Sequence, residues 1–330
     1  MKPVCLNLEE CNGLGDLICA TPTIKKLHDS YQRKIIIISK MPELFKMNPY
    51  VEKSYKASSI DMGYFKDNYI MHNSFYLVGK KDERGIEHKH NMMDIRQFHA
   101  IHLGFMLGED ELECYYKPTE EDSCIEGLSD KSTSGTKRYI VIHPVNSWPN
   151  RTWSQENWIE LSQNLIKLGY NVVAVGKDSS ETGFFNVNKP VHQLDDGVIN
   201  LLNKTSISQT WHIINNAAAV ITMDSGILHL AGTTDTTIIH LGSSIKPEFR
   251  IPYRYKFGSF NYKVQYYNEK LMYKYVSGGC GLECCSNMKY ALEYWDTIDS
   301  VQPLIGCLEK KETFECHPSV NQVLDTIKEL

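Results

Sequence analysis

An acidic residue directly follows a glycine turn near the start of the sequence. The turn consists of Gly13, Leu14 and Gly15, and it comes after a short apolar run. Asp16 then opens a segment with helical spacing. Glycines allow close approach of the backbone to a ligand, and the helix dipole lowers the pKa of a carboxylate in the first turn. An ionised carboxylate can take a proton from a hydroxyl group, so Asp16 is either a general base or only an N-terminal capping group.

A dinucleotide-binding fingerprint is the rival interpretation of this turn. It requires a glycine or alanine three residues after the second glycine, where Ile18 stands. It also requires an acidic residue at the end of the second strand, where Ser39 and Lys40 stand. Both departures argue against a dehydrogenase.

A second polar group follows an apolar run in the later half of the chain. It consists of Asp224, Ser225 and Gly226, with His229 one helical turn further on. Ligands of open α/β sheets bind beyond the carboxyl ends of the strands, and free amides at a helix start suit a pyrophosphate. The competing interpretation is an aspartate N-cap with a core histidine. The preceding strand and the histidine favour a binding site.

Two more predicted strand ends carry candidate ligand contacts. Arg151 precedes a tryptophan at the start of a helix, where a guanidinium can pair bidentately with phosphate. Asp178 follows a glycine turn and could accept a hydrogen bond from a ribose or a base. A solvated arginine and a plain turn are the respective alternatives.

The elements that must position these residues alternate between strand and helix. Apolar runs predict strands at 3–8, 35–38, 139–143, 171–175, 218–222 and 237–241. Helical spacing is found at 17–31, where Pro22 would kink or restart the helix, and at 94–107, 153–168, 199–202 and 208–216. This alternation predicts an α/β protein with two Rossmann-like, doubly wound domains. We expect domains at 1–136 and 137–316, and a C-terminal helix at 317–330.

Length and composition exclude several classes of protein. A chain of 330 residues is long enough for two domains. A hydrophobic content of 42% and a charged content of 23% exclude a disordered chain, a coiled coil and a collagen-like fibre. The sequence contains neither an apolar run long enough to span a membrane nor a secretory signal, so we expect a cytoplasmic protein with reduced thiols. The net charge of -5 argues against wholesale nucleic-acid binding.

In their order along the chain, these motifs resemble glycosyltransferase family 9, the heptosyltransferase-like enzymes of the GT-B fold. The matching blocks are Gly13-Leu14-Gly15-Asp16-Leu17 with Thr21-Pro22, Asn48-Pro49-Tyr50-Val51, His143-Pro144 with Arg151 and Trp153, and Asp224-Ser225-Gly226 with His229-Leu230-Ala231. They span residues 1–55 and 138–252, and the remainder departs from the family pattern. Family members usually carry lysine where Arg151 stands.

The resemblance implies that a nucleotide-sugar donor is held mainly by the C-terminal domain and a lipopolysaccharide-like saccharide mainly by the N-terminal domain. It assigns the general base to Asp16 and a phosphate or acceptor loop to Gly13, Leu14 and Gly15. The donor-binding residues it implies are Arg151, Asp178, Asp224, Ser225, Gly226 and His229. The implied reaction inverts the anomeric centre in one displacement, and it needs neither a metal nor a cofactor beyond the donor.

A basic and aromatic window leaves the acceptor open. Residues 246–275 hold seven Lys or Arg against two Glu, and residues 253–275 hold seven tyrosines. Rings beside cations suit flipped or single-stranded bases, so Arg254, Lys256 and Lys263 could contact DNA. The alternative functions are therefore a phage-type transferase acting on hydroxymethylated DNA bases and a catalytically silent nucleotide-sugar-binding protein. The interpretation of the window that involves no nucleic acid is an ordinary strand pair with exposed lysines.

Five of the ten cysteines crowd the last 51 residues of the chain. They are Cys280, Cys284, Cys285, Cys307 and Cys316. Their spacing is not that of paired C-x2-C motifs, so a packed, reduced cluster is favoured over a structural zinc site.

Overall fold

The computed structural model describes residues 2–11, 13–74, 94–119, 139–145, 151–177, 193–243, 247–254, 267–268, 273–278 and 317–328. The chain divides into two compact units. Unit 1 comprises Met1–Lys117 and Phe249–Phe260, and unit 2 comprises Pro118–Glu248 and Asn261–Leu330. Each unit has its own largely parallel sheet with helices, which confirms the predicted α/β architecture.

Unit 1 is built on a parallel sheet. Its strands are β1 (Val4–Asn7), β2 (Ile35–Ile38), β3 (Val51–Tyr55) and β4 (Ile70–Asn73). They lie in the order β3-β2-β1-β4, so β1 is flanked by β2 and β4. The helices among the described residues are α1 (Leu14–Cys19), α2 (Thr21–Tyr31), α3 (Met62–Asn68) and α4 (Ile95–His102), with 3₁₀ turns at Pro42–Phe45, Ala57–Ser59 and Glu109–Glu111.

The central strands of unit 1, β1 and β2, consist largely of buried residues. All four isoleucines of β2 are buried, as expected for a parallel strand covered on two sides. The helix predicted from residue 17 to 31 is two helices, divided at Ala20, and Pro22 occupies the first turn of the second. Proline is tolerated there because its missing N–H would have had no partner. The predicted restart at Pro22 is therefore confirmed.

Helix α4 is shorter than the predicted segment 94–107. It ends at His102, and Gly104 has a φ of +78°, in the left-handed region that favours glycine. Asp94 caps the start of the helix through the backbone N–H of Arg96. The Arg96 guanidinium also pairs with Asp94 and lies 4.5 Å from the centre of the Tyr253 ring. Arg96 thereby holds Tyr253 within unit 1.

Unit 2 contains a seven-stranded sheet. Its strands are β5 (Tyr139–His143), β6 (Asn171–Ala174), β7 (Val198–Asn200), β8 (Ala219–Thr222), β9 (Thr237–Leu241), β10 (Tyr267–Asn268) and β11 (Tyr273–Val276). The order is β10-β11-β9-β8-β5-β6-β7, and the β10–β11 pair is antiparallel. The helices described here are α5 (Gln155–Lys167), α6 (Ile207–Asn216), α7 (Gly226–Gly232) and α8 (Val320–Lys328), with a 3₁₀ turn at Pro247–Phe249 at the junction of the two units.

Two tryptophans and the last helix close the core of unit 2. Trp153 and Trp158 are buried, with ring centres 5.0 Å apart in an edge-to-face arrangement. The indole N–H of Trp153 donates to the carbonyl of Pro318 at 2.9 Å. The apolar face of α8 then packs in the same cluster. The expected helix at the C-terminus is thus part of the unit 2 core.

The division between the units differs from the expected boundary at residue 136. The backbone N–H of Tyr115 donates to Thr21 in unit 1 at 2.8 Å, whereas that of Thr119 donates to Ser208 in unit 2 at 3.2 Å. The chain therefore changes unit between these residues, and it returns to unit 1 where Tyr253 packs with α4 residues. Such a return depends on tertiary packing, which the local pattern does not encode.

One secondary-structure prediction was wrong. Residues 199–202 were expected to form a helix, but Val198–Asn200 is strand β7, paired with β6. A short apolar run does not distinguish a buried helix turn from an edge strand, and here the free edge of β6 decided the outcome. No helix among the described ranges has both the length and the apolar character needed to cross a bilayer.

Candidate functional site

The glycine turn of unit 1 brings the Asp16 carboxylate back over Gly13. Gly13 is the N-cap of α1, and Leu14 begins the helix. A Cβ atom at position 13 would lie 2.5 Å from Oδ2 of Asp16, so a side chain there would displace the carboxylate. Gly15 is buried, whereas Asp16 is half-buried and so reaches the surface of unit 1. The turn therefore presents one carboxylate on a tightly folded backbone, as the sequence analysis expected.

Negative charge concentrates around this turn. Burial is the main cause that raises the pKa of the Cys11 thiol, and the charges of Asp16 and Glu10 act in the same direction. Lys40 opposes them, but its effect is the smallest of the four. Cys11 therefore stays protonated, and the group in the turn that can accept a proton is the Asp16 carboxylate.

In unit 2, polar side chains meet at the carboxyl edge of the sheet, where β5 and β8 end. His143 ends β5 and is the register neighbour of Thr222, which ends β8. Nδ1 of His143 lies 3.3 Å from Oγ of Ser225, and Oγ1 of Thr222 lies 3.0 Å from the same atom. Ser225 is the N-cap of α7, yet its hydroxyl does not cap that helix. Its hydroxyl is therefore held by the two strand ends, at the start of α7.

Gly176, which follows β6, leaves space for the imidazole ring of His143. Its φ of +134° is one that side chains rarely adopt. A Cβ atom there would lie 2.7 Å from Cδ2 and 2.9 Å from Nε2 of His143. The glycine is thus required both by the backbone conformation and by the close approach of the imidazole ring.

A buried ion pair stands beside this cluster. Nη1 of Arg151 lies 3.3 Å from Oδ2 of Asp224, and Asp224 is 2% exposed. A buried carboxylate requires a cationic partner, which Arg151 supplies. Part of the Arg151 side chain, 15%, remains accessible, so this cation reaches the surface of unit 2 whereas Asp224 does not. The structure therefore brings together Arg151, Asp224 and Ser225, which the sequence analysis assigned to one site.

The remaining predicted donor residues have different outcomes. Gly226 begins α7, next to Ser225. His229 is 4% exposed within α7, so its ring is part of the packed interior in this conformation. Asp178 lies outside the described residues. His143 and Gly176 were noted only within motifs and received no role, although a histidine and a glycine at neighbouring strand ends were a usable signal.

The predicted nucleic-acid contacts find no support at Arg254. Its side chain is 2% exposed, and burial lowers its pKa to about 10. Tyr253 packs in an apolar cluster of unit 1, and Lys274 is buried with Nζ donating to the carbonyl of Thr326. The described cations of the basic and aromatic window, Arg250, Arg254 and Lys274, are therefore buried, which corrects the interpretation of Arg254 as part of an exposed base-binding face. Lys256 and Lys263 lie outside the described residues.

Metal binding was expected only as a weak alternative. The five candidates Cys280, Cys284, Cys285, Cys307 and Cys316 lie outside the described residues. Within the described ranges, no three His, Cys, Asp or Glu side chains come close enough to hold a metal ion. No disulfide links the described cysteines, which are Cys5, Cys11, Cys19 and Cys114.

Solved structures of similar fold extend over almost the whole chain. A glycosyl transferase family 9 protein from Veillonella parvula has a TM-score of 0.66 and 15% identity, covering 99% of this chain and 96% of its own. The E. coli ADP-heptose lipopolysaccharide heptosyltransferase II has a TM-score of 0.59 and 15% identity, covering 100% and 98%. The iron-containing heptosyltransferase TibC, solved with ADP-D-beta-D-heptose, has a TM-score of 0.58 and 14% identity, covering 76% and 60%. At these identities, the likeness establishes the two-domain GT-B fold.

Sequence comparison identifies the family. Lipooligosaccharide heptosyltransferase 2 of Haemophilus influenzae is 28% identical over 105 residues, which are 32% of this chain and 30% of the relative. The match thus spans about a third of that curated relative. The model of glycosyltransferase family 9 (heptosyltransferase) matches residues 82–272, more than half of the chain and including both Arg151 and Asp224. The chain therefore belongs to glycosyltransferase family 9.

Proposed function

We propose that this protein is an inverting glycosyltransferase that moves a heptose from ADP-heptose to a hydroxyl group of a lipopolysaccharide-like saccharide. The observation that carries the proposal is the Arg151–Asp224 pair beside the Ser225 hydroxyl at a strand edge within the family match. The names of the similar proteins suggest the donor and the acceptor class. They include a lipooligosaccharide heptosyltransferase and an ADP-heptose lipopolysaccharide heptosyltransferase.

Unit 2 would bind the donor. A pyrophosphate carries negative charge that Arg151 can meet with charge-assisted hydrogen bonds, while Asp224 holds the guanidinium in place. The hydroxyl of Ser225 and the backbone around Gly226 offer neutral donors at the same strand edge. We include Asp178 and His229 in the donor site on the family resemblance. Departure of ADP is then favoured because its developing charge meets fixed positive groups.

Unit 1 would bind the acceptor at the turn Gly13, Leu14 and Gly15. Asp16 takes the proton from the acceptor hydroxyl, whose oxygen attacks the anomeric carbon as the bond to the ADP oxygen breaks. A single displacement of this kind inverts the anomeric centre. Asp16 suits this role because it is half-buried rather than enclosed, so that a carboxylate oxygen can reach a bound hydroxyl.

We propose that the transfer needs no metal, because a guanidinium can supply the positive charge that a metal ion supplies in other transferases. TibC is described as iron-containing, so the metal independence proposed here has to be tested. We further propose a cytoplasmic location. The described cysteines support it, since none of them is in a disulfide and the cytosol keeps cysteines reduced.

The first test is thermal stabilisation of the full chain by nucleotide sugars. ADP-heptose and ADP should raise the melting midpoint, whereas UDP-, GDP- and CMP-sugars should leave it unchanged, since binding to the folded state stabilises by mass action. Release of ADP is then measured with deacylated lipopolysaccharide core as acceptor, with and without EDTA. Stabilisation without ADP release from any acceptor would indicate a silent binding protein, and a loss of release in EDTA would contradict metal independence.

The DNA alternative is tested in the same assay. Hydroxymethylated DNA replaces the saccharide, and we expect no ADP release above the rate without acceptor. No observation in the described part of the chain favours a DNA acceptor, because Arg254 is buried. Release of ADP that depends on the hydroxymethyl group would establish that alternative and overturn the saccharide proposal.

A further inference from the structure

A buried histidine of α4 lies against the region that carries Asp16. His99 is fully buried, and α4 packs on α1. Nδ1 of His99 lies 2.9 Å from Oγ of Ser74, which directly follows β4 and is itself 1% exposed. The ring of His99 is thus fixed in position by a side chain at the end of the unit 1 sheet.

Ser74 is tied by its own backbone to the chain that leads to Asp16. Its N–H donates to the carbonyl of Asn7, the last residue of β1, at 3.0 Å. Its carbonyl accepts a hydrogen bond from the thiol of Cys11 at 3.9 Å. Asn7 and Cys11 bracket the stretch in which the chain leaves β1 and enters the glycine turn. Ser74 therefore connects this stretch to His99.

The other side of the imidazole faces α1. The backbone carbonyl of Asp16 acts on the pKa of His99 in the raising direction, so this carbonyl lies close to the ring. Burial has the larger effect and lowers that pKa to about 3, which keeps the ring neutral. A neutral imidazole has one N–H, and we assign it to Nε2, so that Nδ1 accepts from the Ser74 hydroxyl. Nε2 is buried without a hydrogen-bond partner among the described residues.

We propose that His99, held by Ser74, is a positioning residue that sets where Asp16 stands in the acceptor site. The inference rests on the proposed function, in which Asp16 is the general base. The reason for a positioning device is the shortness of α1, which has six residues and an N-cap, Gly13, that provides no side-chain cap. A helix this short takes its orientation from its packing, and His99 lies on α4, the helix that packs against it.

The test compares two amide replacements of His99. His99→Gln can place its amide nitrogen where Nε2 stands, whereas His99→Asn can reach only the position of Nδ1 and so keeps the contact with Ser74. We expect His99→Asn to lower kcat by about tenfold or more, because a small displacement of a catalytic group is costly. The KM of His99→Asn for ADP-heptose should stay within about twofold of wild type, because donor binding belongs to unit 2. His99→Gln should retain kcat within about threefold of wild type, because its amide nitrogen can replace Nε2.

His72→Asn is the matched control. His72 is a half-buried histidine of β4 whose ring shares a hydrogen bond with the hydroxyl of Tyr31, a residue of α2, at 3.0 Å. Its kcat should equal that of the wild-type protein. Equal kcat in His99→Asn and wild type, or equal losses in the Asn and Gln variants, would overturn the positioning role.

Ser74→Ala keeps the inference testable if the His99 variants do not fold. It removes the hydroxyl that orients the ring but leaves the imidazole in place. We expect kcat to fall by about threefold or more with an unchanged KM for ADP-heptose, and the melting midpoint to fall because Nδ1 of His99 loses its buried partner. An unchanged kcat would overturn the inference alone. Absence of transfer by the wild-type protein would instead overturn the proposed function, and the inference with it.

Discussion

The Nη1 atom of Arg151 lies 3.3 Å from the Oδ2 atom of Asp224, although 73 positions separate the two residues in the sequence. Asp224 is nearly inaccessible, and Arg151 retains some exposure. The aspartate is therefore the structural member of the pair, and the arginine is the member that can also meet a ligand. This asymmetry leads to different predictions for the two residues.

Arg151→Ala should weaken binding of ADP-heptose by about tenfold to a hundredfold, because a charge-assisted contact to phosphate contributes about 1.5–3 kcal/mol. It should also lower the melting midpoint, because it leaves Asp224 buried without its cation. Arg151→Lys preserves the charge and introduces the residue that the family resemblance places at this position, so it should bind within about fivefold of wild type. Calorimetric titration checks the affinities. An Arg151→Ala protein that binds ADP-heptose normally would remove Arg151 from the donor site.

Gly176→Ala should destabilise unit 2 and weaken donor binding together. The new Cβ would stand against the His143 ring and force an unfavourable φ, so a loss of about 2–4 kcal/mol is expected. Gly169→Ala is the matched control, because Gly169 has a φ of +91° but nothing within 4 Å of a new Cβ. It should cost about 1–2 kcal/mol and leave donor affinity unchanged. Urea denaturation measures both losses, and similar affinities in the two variants would argue against a role of His143 in the donor site.

Asp16→Asn should abolish transfer without changing donor affinity. Loss of a general base costs about a hundredfold to ten-thousandfold in kcat, and the change is isosteric, so the turn over Gly13 should persist. Asp29→Asn is the control, since Asp29 is an exposed helical aspartate paired with Lys25 at 2.8 Å. Its kcat should match that of wild type. The assay is ADP release at saturating donor. Normal turnover by Asp16→Asn would mean that another group accepts the proton.

The stability of unit 1 should fall in mild acid because of His99. Its pKa is about 3 in the folded chain and about 6.5 when unfolded, so the unfolded chain binds the extra proton between these values. The stabilisation is complete above about pH 6.5 and is lost as the pH falls, by about 1.4 kcal/mol for each pH unit. Ser74, the neighbouring His102 and the Asp16 carbonyl face this ring. Denaturation midpoints from pH 7 to pH 4.5 should therefore decline less steeply in His99→Gln than in wild type.

His72→Asn provides the comparison for that titration. Burial also lowers the pKa of His72, but this ring is only half-buried. Its replacement should flatten the decline in stability less than His99→Gln does. Parallel pH profiles for wild type and His99→Gln would show that His99 is not the group responsible.

Local pattern was sufficient for much of the fold. The runs at 139–143 and 237–241 are strands with the predicted bounds, because a continuous apolar run between turns has few other ways to be buried. Strands β3 and β4 were missed, since they are short, carry polar residues such as Lys53 and His72, and lie at the two edges of their sheet. Edge strands need less apolar surface, so the sequence marks them weakly.

The sequence by itself also determined the chemistry-bearing residues of the two candidate regions. Gly13 and Asp16 lie close together in one turn, and Ser225 directly follows Asp224. Both associations are local, so the spacing in the sequence predicts them. The tertiary structure decided which distant residues join them. Ser74 reaches His99 across 25 positions, and His143 reaches Ser225 across 82. These contacts exist because parallel strands place their carboxyl ends side by side and helices pack over them, and the interior position of Arg254 is likewise set by what surrounds it rather than by its neighbours in the chain.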